Sequence, residues 1–309
     1  MLTNERILIT GPTSQVAFPI ARELAKHNTV YGLARFSSLR DRERLEALGV
    51  TCIAADLATD SFAGVPEDVT YVLHFAVLKS GDDSFESDLA ANAESVGRLM
   101  YRCRRAKAWL HCSSGGVYQP AGHQPLKETD PLGDNHRSLL PTYSICKIAS
   151  ETMARFGARQ WNLPTTIARL SVPYGDNGGW PAFHLDWMLA GSMIPVHPDK
   201  PSLYNPIHED DYIAHIPKLL AIASVPATTV NWGGSEPVSV EAWCEYMGQL
   251  IGATPQFLYT DHALSSITMD LTRMHQHLGH TTVDWRDGMR RLIQSRHPEL
   301  VLRALHEPS

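Results

Sequence analysis

Six short apolar runs alternate with polar or helix-patterned stretches through the first 170 residues, and this alternation constrains the fold more than any other feature. The runs are R-I-L-I-T at 6–10, T-V-Y-G-L-A at 29–34, G-V-T-C-I-A-A-D-L ending at Asp56 and Leu57, T-Y-V-L-H-F-A ending near Ala76, A-W-L-H-C-S-S at 108–114, and P-T-T-I-A-R-L ending near Arg169. Apolar runs of this length read as buried strands, and the amphipathic F-P-I-A-R-E-L-A-K after the first reads as a helix. A longer helix is expected from about Phe85 to Ala106 and another from Tyr143 through I-A-S-E-T-M-A-R-F. Strands separated by helices pair in parallel, which gives a doubly wound α/β sheet with its ligand at the carboxyl ends of the strands.

Past residue 170 the alternation loosens, with helices expected near 209–222, 239–251, 268–278 and 285–295. Residues 1–170 therefore read as a doubly wound α/β domain with a ligand crevice, and 171–309 as a smaller α/β domain interleaved with it. A net charge of −6 gives no basic footprint for nucleic acid. No apolar run is long enough to span a membrane, and the opening residues lack the pattern of a secretory signal, so a cytoplasmic protein is expected. Five cysteines without C-x-x-C spacing read as reduced thiols. His275, His277 and His280 lack companion carboxylates or cysteines at ligand spacing and read as a solvated helix end, so no metal is expected.

The strand ends carry the candidate chemistry. Gly11 opens a tight turn into the first helix, where backbone N–H groups and the helix dipole can meet a phosphate. Arg35, with Ser37, Ser38 or Arg40 nearby, stands at the second strand end where an acid would favour NAD, which points to NADP, with NAD as the alternative. Asp56 is placed to accept from an adenine amine. Ser113 and Ser114 end the fifth strand with hydroxyls toward the crevice, and the long loop from Gln119 to Leu140, with His123 and His136, reads as substrate-facing. Tyr143 and Lys147, four residues apart, share a helix face, and an ammonium beside a phenol favours the phenolate that proton transfer requires.

With the N-terminal turn, S-S-G-G-V-Y at 113–118 and Y-S-I-C-K at 143–147 in this order, the chain resembles the extended short-chain dehydrogenase/reductase superfamily, in particular its NAD(P)-dependent epimerase/dehydratase family. L-H-F-A-V-L-K at 73–79, A-N-A-E-S-V-G at 91–97 and N-P-I-H-E-D-D-Y at 205–212 extend the resemblance over nearly the whole chain. It implies a Rossmann fold, with Tyr143 as acid/base, Lys147 on the nicotinamide ribose, Ser114 on the reacting oxygen and Asn92, the asparagine of the helix, as a further catalytic residue. It also implies that Gly11, Ser14, Gln15 and Val16 meet the pyrophosphate, Asp56 and Leu57 the adenine, and Phe75 and Ala76 the ribose side, that Thr13 belongs to the same cofactor site, and that Lys79 matches a lysine nucleotide-sugar epimerases use near the cofactor. Ser113, Tyr118 and Tyr174 are expected on the substrate, and a homodimer through the helices at about 85–106 and 143–158.

The departures narrow the chemistry. Gly115 and Gly116 replace the acidic pair of the family's dehydratases, and Val172 and Tyr204 stand where nucleotide-sugar enzymes carry an asparagine and an arginine for the diphosphate. The expected activity is that of an NADP-dependent carbonyl reductase or alcohol dehydrogenase acting on a small molecule. The alternatives are a nucleotide-sugar 4-epimerase holding NAD, and a non-catalytic dinucleotide-binding sensor. Trp180, Phe183, Trp187 and Tyr174 suggest a partly apolar substrate pocket.

Overall fold

In the computed structural model, residues 2–59, 61–78, 84–134, 136 and 139–304 are described. Strand β1 (Arg6–Thr10) leads into α1 (Ala17–Ala25), β2 (Thr29–Ala34) into α2 (Leu39–Glu46), and β3 (Thr51–Ala54) and β4 (Tyr71–His74) follow. Helix α3 (Phe85–Leu89) passes through a π turn at Ala90–Glu94 into α4 (Ser95–Arg102), and β5 (Ala108–Ser114) runs into a 3₁₀ turn at Gly115–Val117. Next come α5 (Tyr143–Gln160), β6 (Thr165–Leu170), β7 (Pro173–Gly175), β8 (Gly178–Gly179), α6 (Trp180–Leu189), β9 (Ile194–Val196), β10 (Leu203–Tyr204), β11 (Ile207–His208), α7 (Glu209–Ala221) and β12 (Thr228–Trp232). The chain closes with β13 (Val238–Ser239), α8 (Val240–Ile251), β14 (Phe257–Tyr259), α9 (Thr272–Leu278) and α10 (Trp285–Arg296).

Seven parallel strands form one sheet in the order β12-β6-β5-β4-β1-β2-β3, so the strand order reverses beside β1. In such a sheet that reversal opens a crevice at the carboxyl ends, between the turns after β1 and β4. Ile7 and Ile9 pack on one sheet face with α1 and α7, and Leu8 on the other with Val96, Leu99 and Ala154 of α4 and α5, the period-2 burial of a central strand. A third cluster, built around Trp243, Leu185 and Met289, joins α6, α8 and α10 above the carboxyl edge.

Two strands are shorter than the sequence suggests, for one reason. β4 stops at His74 because the N–H groups of Phe75 and Ala76 donate to the Thr10 hydroxyl, at 3.1 and 3.0 Å, instead of to a neighbouring strand. β3 stops at Ala54, and the turn is taken over by Asp56, whose Oδ1 accepts the Ala58 N–H at 2.8 Å. A boundary at residue 170 divides the chain in sequence but not in space, since β12 forms an edge of the large sheet beside β6 and α7 packs beneath it. Among the described residues no helix is long and apolar enough to cross a membrane.

Candidate active site

The crevice begins at Gly11, whose φ of +64° favours glycine and where a Cβ would stand 2.9 Å from the Ala76 Cα. Only a residue without a side chain lets the turn after β1 lie against the turn after β4. Ser14 accepts the Ala17 N–H at 3.2 Å and closes the first turn of α1, whose N-terminal end faces the crevice. Gly11, Thr13 and Ser14 line a cavity of about 410 Å³ together with Arg35, Asp56, Leu57, Phe75 and Ala76. Ser14, Gln15 and Val16 line a larger cleft of about 760 Å³, which shares Ser14, Phe75 and Val77 with the first.

Around the smaller cavity the polar groups are partly committed. Ser38 caps α2 by accepting the Asp41 N–H at 3.3 Å, and the exposed Arg35 lines the cavity together with the carboxylates of Asp41 and Asp56. Arg98 donates to the carbonyls of Leu57 and Ala58 at 2.7 and 2.8 Å and fixes the loop after β3. Asn92, buried in the π turn, accepts from the Leu78 N–H at 2.7 Å and donates to the Leu78 carbonyl at 2.9 Å. Its amide therefore holds the loop after β4, a backbone-positioning task and not contact with a reacting atom. Lys79 lies outside the described residues.

Ser114, Tyr143 and Lys147 all line the larger cleft. Ser114 is half-buried at the end of β5, where its Oγ accepts the Gly116 N–H at 3.1 Å. Tyr143 opens α5 half-buried, with its ring 5.3 Å from that of His136. One turn on, Lys147 is buried and donates from Nζ to the Cys112 carbonyl at 2.8 Å. Burial pushes its ammonium down from the usual lysine range. Beneath it His74 and His111 stack at 5.3 Å, and both are pushed down by burial, His111 to about 3.

The cleft fits a dinucleotide: the close backbone approach at Gly11, the helix end at Ser14 and the Asp56 carboxylate lie along one continuous depression. By its motif residues Gly11, Thr13, Ser14, Gln15 and Val16 would hold the pyrophosphate, Asp56 and Leu57 the adenine, and Lys147 the nicotinamide ribose.

Three substrate-side expectations change. Tyr118 is fully buried, donates to Asn231 Oδ1 at 2.5 Å and lies against the Arg169 guanidinium, away from the cleft. Tyr174 is buried edge-on to His208, its hydroxyl directed at the Trp285 carbonyl. Ser113 touches the cleft, but its hydroxyl donates to Glu151 at 2.6 Å in a buried network with Arg169. Aromatic bulk and sheet burial decide these cases, which spacing does not reveal. Trp180 and Phe183 line the cleft and Trp187 does not, while Leu139, Leu140, Ala182, Leu264, Ile267 and Arg296 join it from distant segments without a local sequence signal.

Residues 7–191 match the model of the NAD dependent epimerase/dehydratase family. The chain belongs to that family. This family member is an enzyme of the extended short-chain dehydrogenase/reductase type. Comparison with curated protein sequences gives no match.

Solved structures resemble this epimerase/dehydratase family member in fold over almost its full length. UDP-N-acetylglucosamine 4-epimerase from Methanobrevibacter ruminantium M1, in complex with UDP-N-acetylmuramic acid, gives a TM-score of 0.82 at 15% identity over 97% of this chain and 100% of that one. UDP-glucuronic acid 4-epimerase from Bacillus cereus, in complex with UDP-glucuronic acid and NAD, gives 0.79 at 18% over 94% and 98%. DesIV, a dTDP-glucose 4,6-dehydratase from Streptomyces venezuelae with NAD and TYD bound, gives 0.80 at 19% over 95% and 97%.

Proposed function

We propose that this chain inverts a secondary carbinol by oxidising it and re-reducing it in place, as an NAD-dependent epimerase. One observation carries the reading: Ser114, Tyr143 and Lys147 share a cleft in which the two positions after Ser114, also in the lining, are Gly115 and Gly116 and carry no acidic side chain. A Cβ at Gly116 would collide with the His136 ring, and one at Gly115 would stand 2.6 Å from the Met269 methyl. Proton transfer is thus provided for, whereas the acid pair of an elimination is not. That several similar structures are 4-epimerases, some with NAD, supports epimerisation over net reduction.

When bound, the nicotinamide supplies a reversible hydride acceptor. The residues of the chain do the rest. The Ser114 hydroxyl donates to the substrate oxygen and fixes it. The Tyr143 phenolate takes the carbinol proton and later returns it. Lys147, held on the Cys112 carbonyl, brings a positive charge to the cleft floor and stabilises that phenolate. A homodimer belongs to the same reading, burying the exposed Tyr101, Ile145 and Phe156 of α4 and α5.

A second reading, an NADP-dependent carbonyl reductase, is favoured by Arg35 and Ser37 on the wall of the smaller cavity. Denaturing freshly purified protein and identifying the released nucleotide separates the two. Near-stoichiometric NAD(H), with no turnover of added NADPH, is the expected result. Empty protein that reduces carbonyls with NADPH would replace the epimerase reading by the reductase.

A further inference from the structure

We infer that the substrate of this site carries an uncharged, apolar arm, in place of the nucleotide diphosphate bound by the similar structures. The inference rests on the proposed carbinol chemistry for the reacting end, and concerns the wall facing the rest of the molecule.

The cleft that holds Ser114 and Tyr143 is lined as well by Leu139, Val172, Trp180, Phe183, Tyr204 and Ile267. Tyr204 and Trp180 meet edge to face at 5.0 Å, and Trp180 packs in turn on Trp243, which makes a stiff aromatic wall. Several polar side chains along this wall are bonded into the protein. The Tyr204 hydroxyl donates to the Ser265 carbonyl at 2.8 Å, and the Trp243 indole to His184 at 2.9 Å. Ser171 accepts the Asn205 N–H at 3.2 Å, and the Asn177 amide donates to the Gln15 carbonyl at 2.9 Å.

Charge gives the same answer. Among the described residues lining the cleft, the permanently basic side chains are Lys147 and Arg296. Lys147 sits on the floor beside Tyr143. Arg296 grips the Asp186 carboxylate with two donors, its Nε at 2.9 Å from Oδ1, and His297 lies against the same carboxylate, so the cation is already neutralised. A diphosphate set against this wall would face aromatic rings and aliphatic groups, and the basic side chains of the cleft are one lysine bonded to the floor and one arginine paired with Asp186. An aliphatic or aryl group would instead lose water against Phe183, which is 59% exposed at the mouth, and Val172 deeper in.

The test uses the dinucleotide-loaded full chain and reads binding separately from turnover. Two probes, 4-phenylcyclohexanone and UDP, are titrated by calorimetry into the wild type and Phe183→Ala. The ketone is expected to bind the wild type in the submillimolar range. Phe183→Ala should weaken it about tenfold, the effect of exposing an aryl contact. UDP should give no heat at millimolar concentration. Micromolar binding of UDP, absence of ketone binding, or unchanged ketone affinity in Phe183→Ala would each overturn the inference. Circular dichroism of Phe183→Ala guards against misfolding. A wild type that binds the ketone but never turns it over with either dinucleotide would sink the carbinol reading and leave the apolar arm standing.

Discussion

At the scale of single residues, the Ser114, Tyr143 and Lys147 set makes the sharpest claims. Tyr143→Phe removes one hydroxyl from a half-buried ring, and should cut turnover about 10²- to 10⁴-fold while circular dichroism and dinucleotide binding stay unchanged. Residual activity near the wild-type level would show that another group moves the proton. Lys147 predicts a pH effect. Burial favours its neutral form, so its charge is lost at a lower pH than that of a free lysine. Turnover should therefore fall on an alkaline limb below the ordinary value of about 10.4, and Lys147→Arg, which keeps its charge, should move that limb upward in any activity that survives. These residues could be read from the sequence because motif order and four-residue spacing are local properties. Tyr118 and Tyr174 could not, because whether a tyrosine faces a cleft or a core depends on elements such as Arg169 and Trp285, which meet it only in the fold.

At the scale of elements, the π turn between α3 and α4 links helix to cofactor loop. A π turn inserts one extra residue into the helix and reorients its side chains, here placing the Asn92 amide across both backbone groups of Leu78. Asn92→Ala removes both partners of the half-buried Leu78 N–H and carbonyl, at a cost of about 1 kcal/mol. The expected result is a dinucleotide affinity weakened about tenfold by calorimetry with a smaller loss of Tm. An equal loss of stability in apo and loaded protein would assign Asn92 to structure alone. The helical pattern over 85–106 was visible in the chain, but neither its interruption at Ala90 nor its end at Arg102 was, because side-chain periodicity does not register an inserted backbone residue. Likewise the overlong third and fourth strands reflect apolar residues that continue past the point where Thr10 and Asp56 take over the backbone N–H groups.

At the scale of the whole molecule, buried histidines set the response to acid. Burial holds His111 and His184 down to about 3 and His215 to about 4, so all three are neutral in the folded protein at pH 7. In the unfolded chain they titrate near 6.5, so as pH falls from 6.5 toward about 4 the unfolded state takes up protons that the folded state refuses. Stability is full above that window and falls within it, by up to about 1.4 kcal/mol per histidine per pH unit. Calorimetric Tm should drop steadily from pH 6.5 to 4.5 and level off above pH 7; a flat profile would contradict it. The doubly wound class could be read from strand-helix alternation, while the seventh strand could not, because T-T-V-N-W at 228–232 follows a long excursion through the segments that wall the cleft.

That late strand bears on how the protein is made. As the chain leaves the ribosome, β6 can pair with β5 soon after Leu170 emerges, yet its other edge stays open until Trp232 has been synthesised. In that interval a fully buried strand, with Ile167 at its centre, presents unpaired backbone and apolar side chains to any other strand nearby. The family match ends at residue 191, before that edge is covered, so a fragment cut there keeps the motif residues but should aggregate instead of folding.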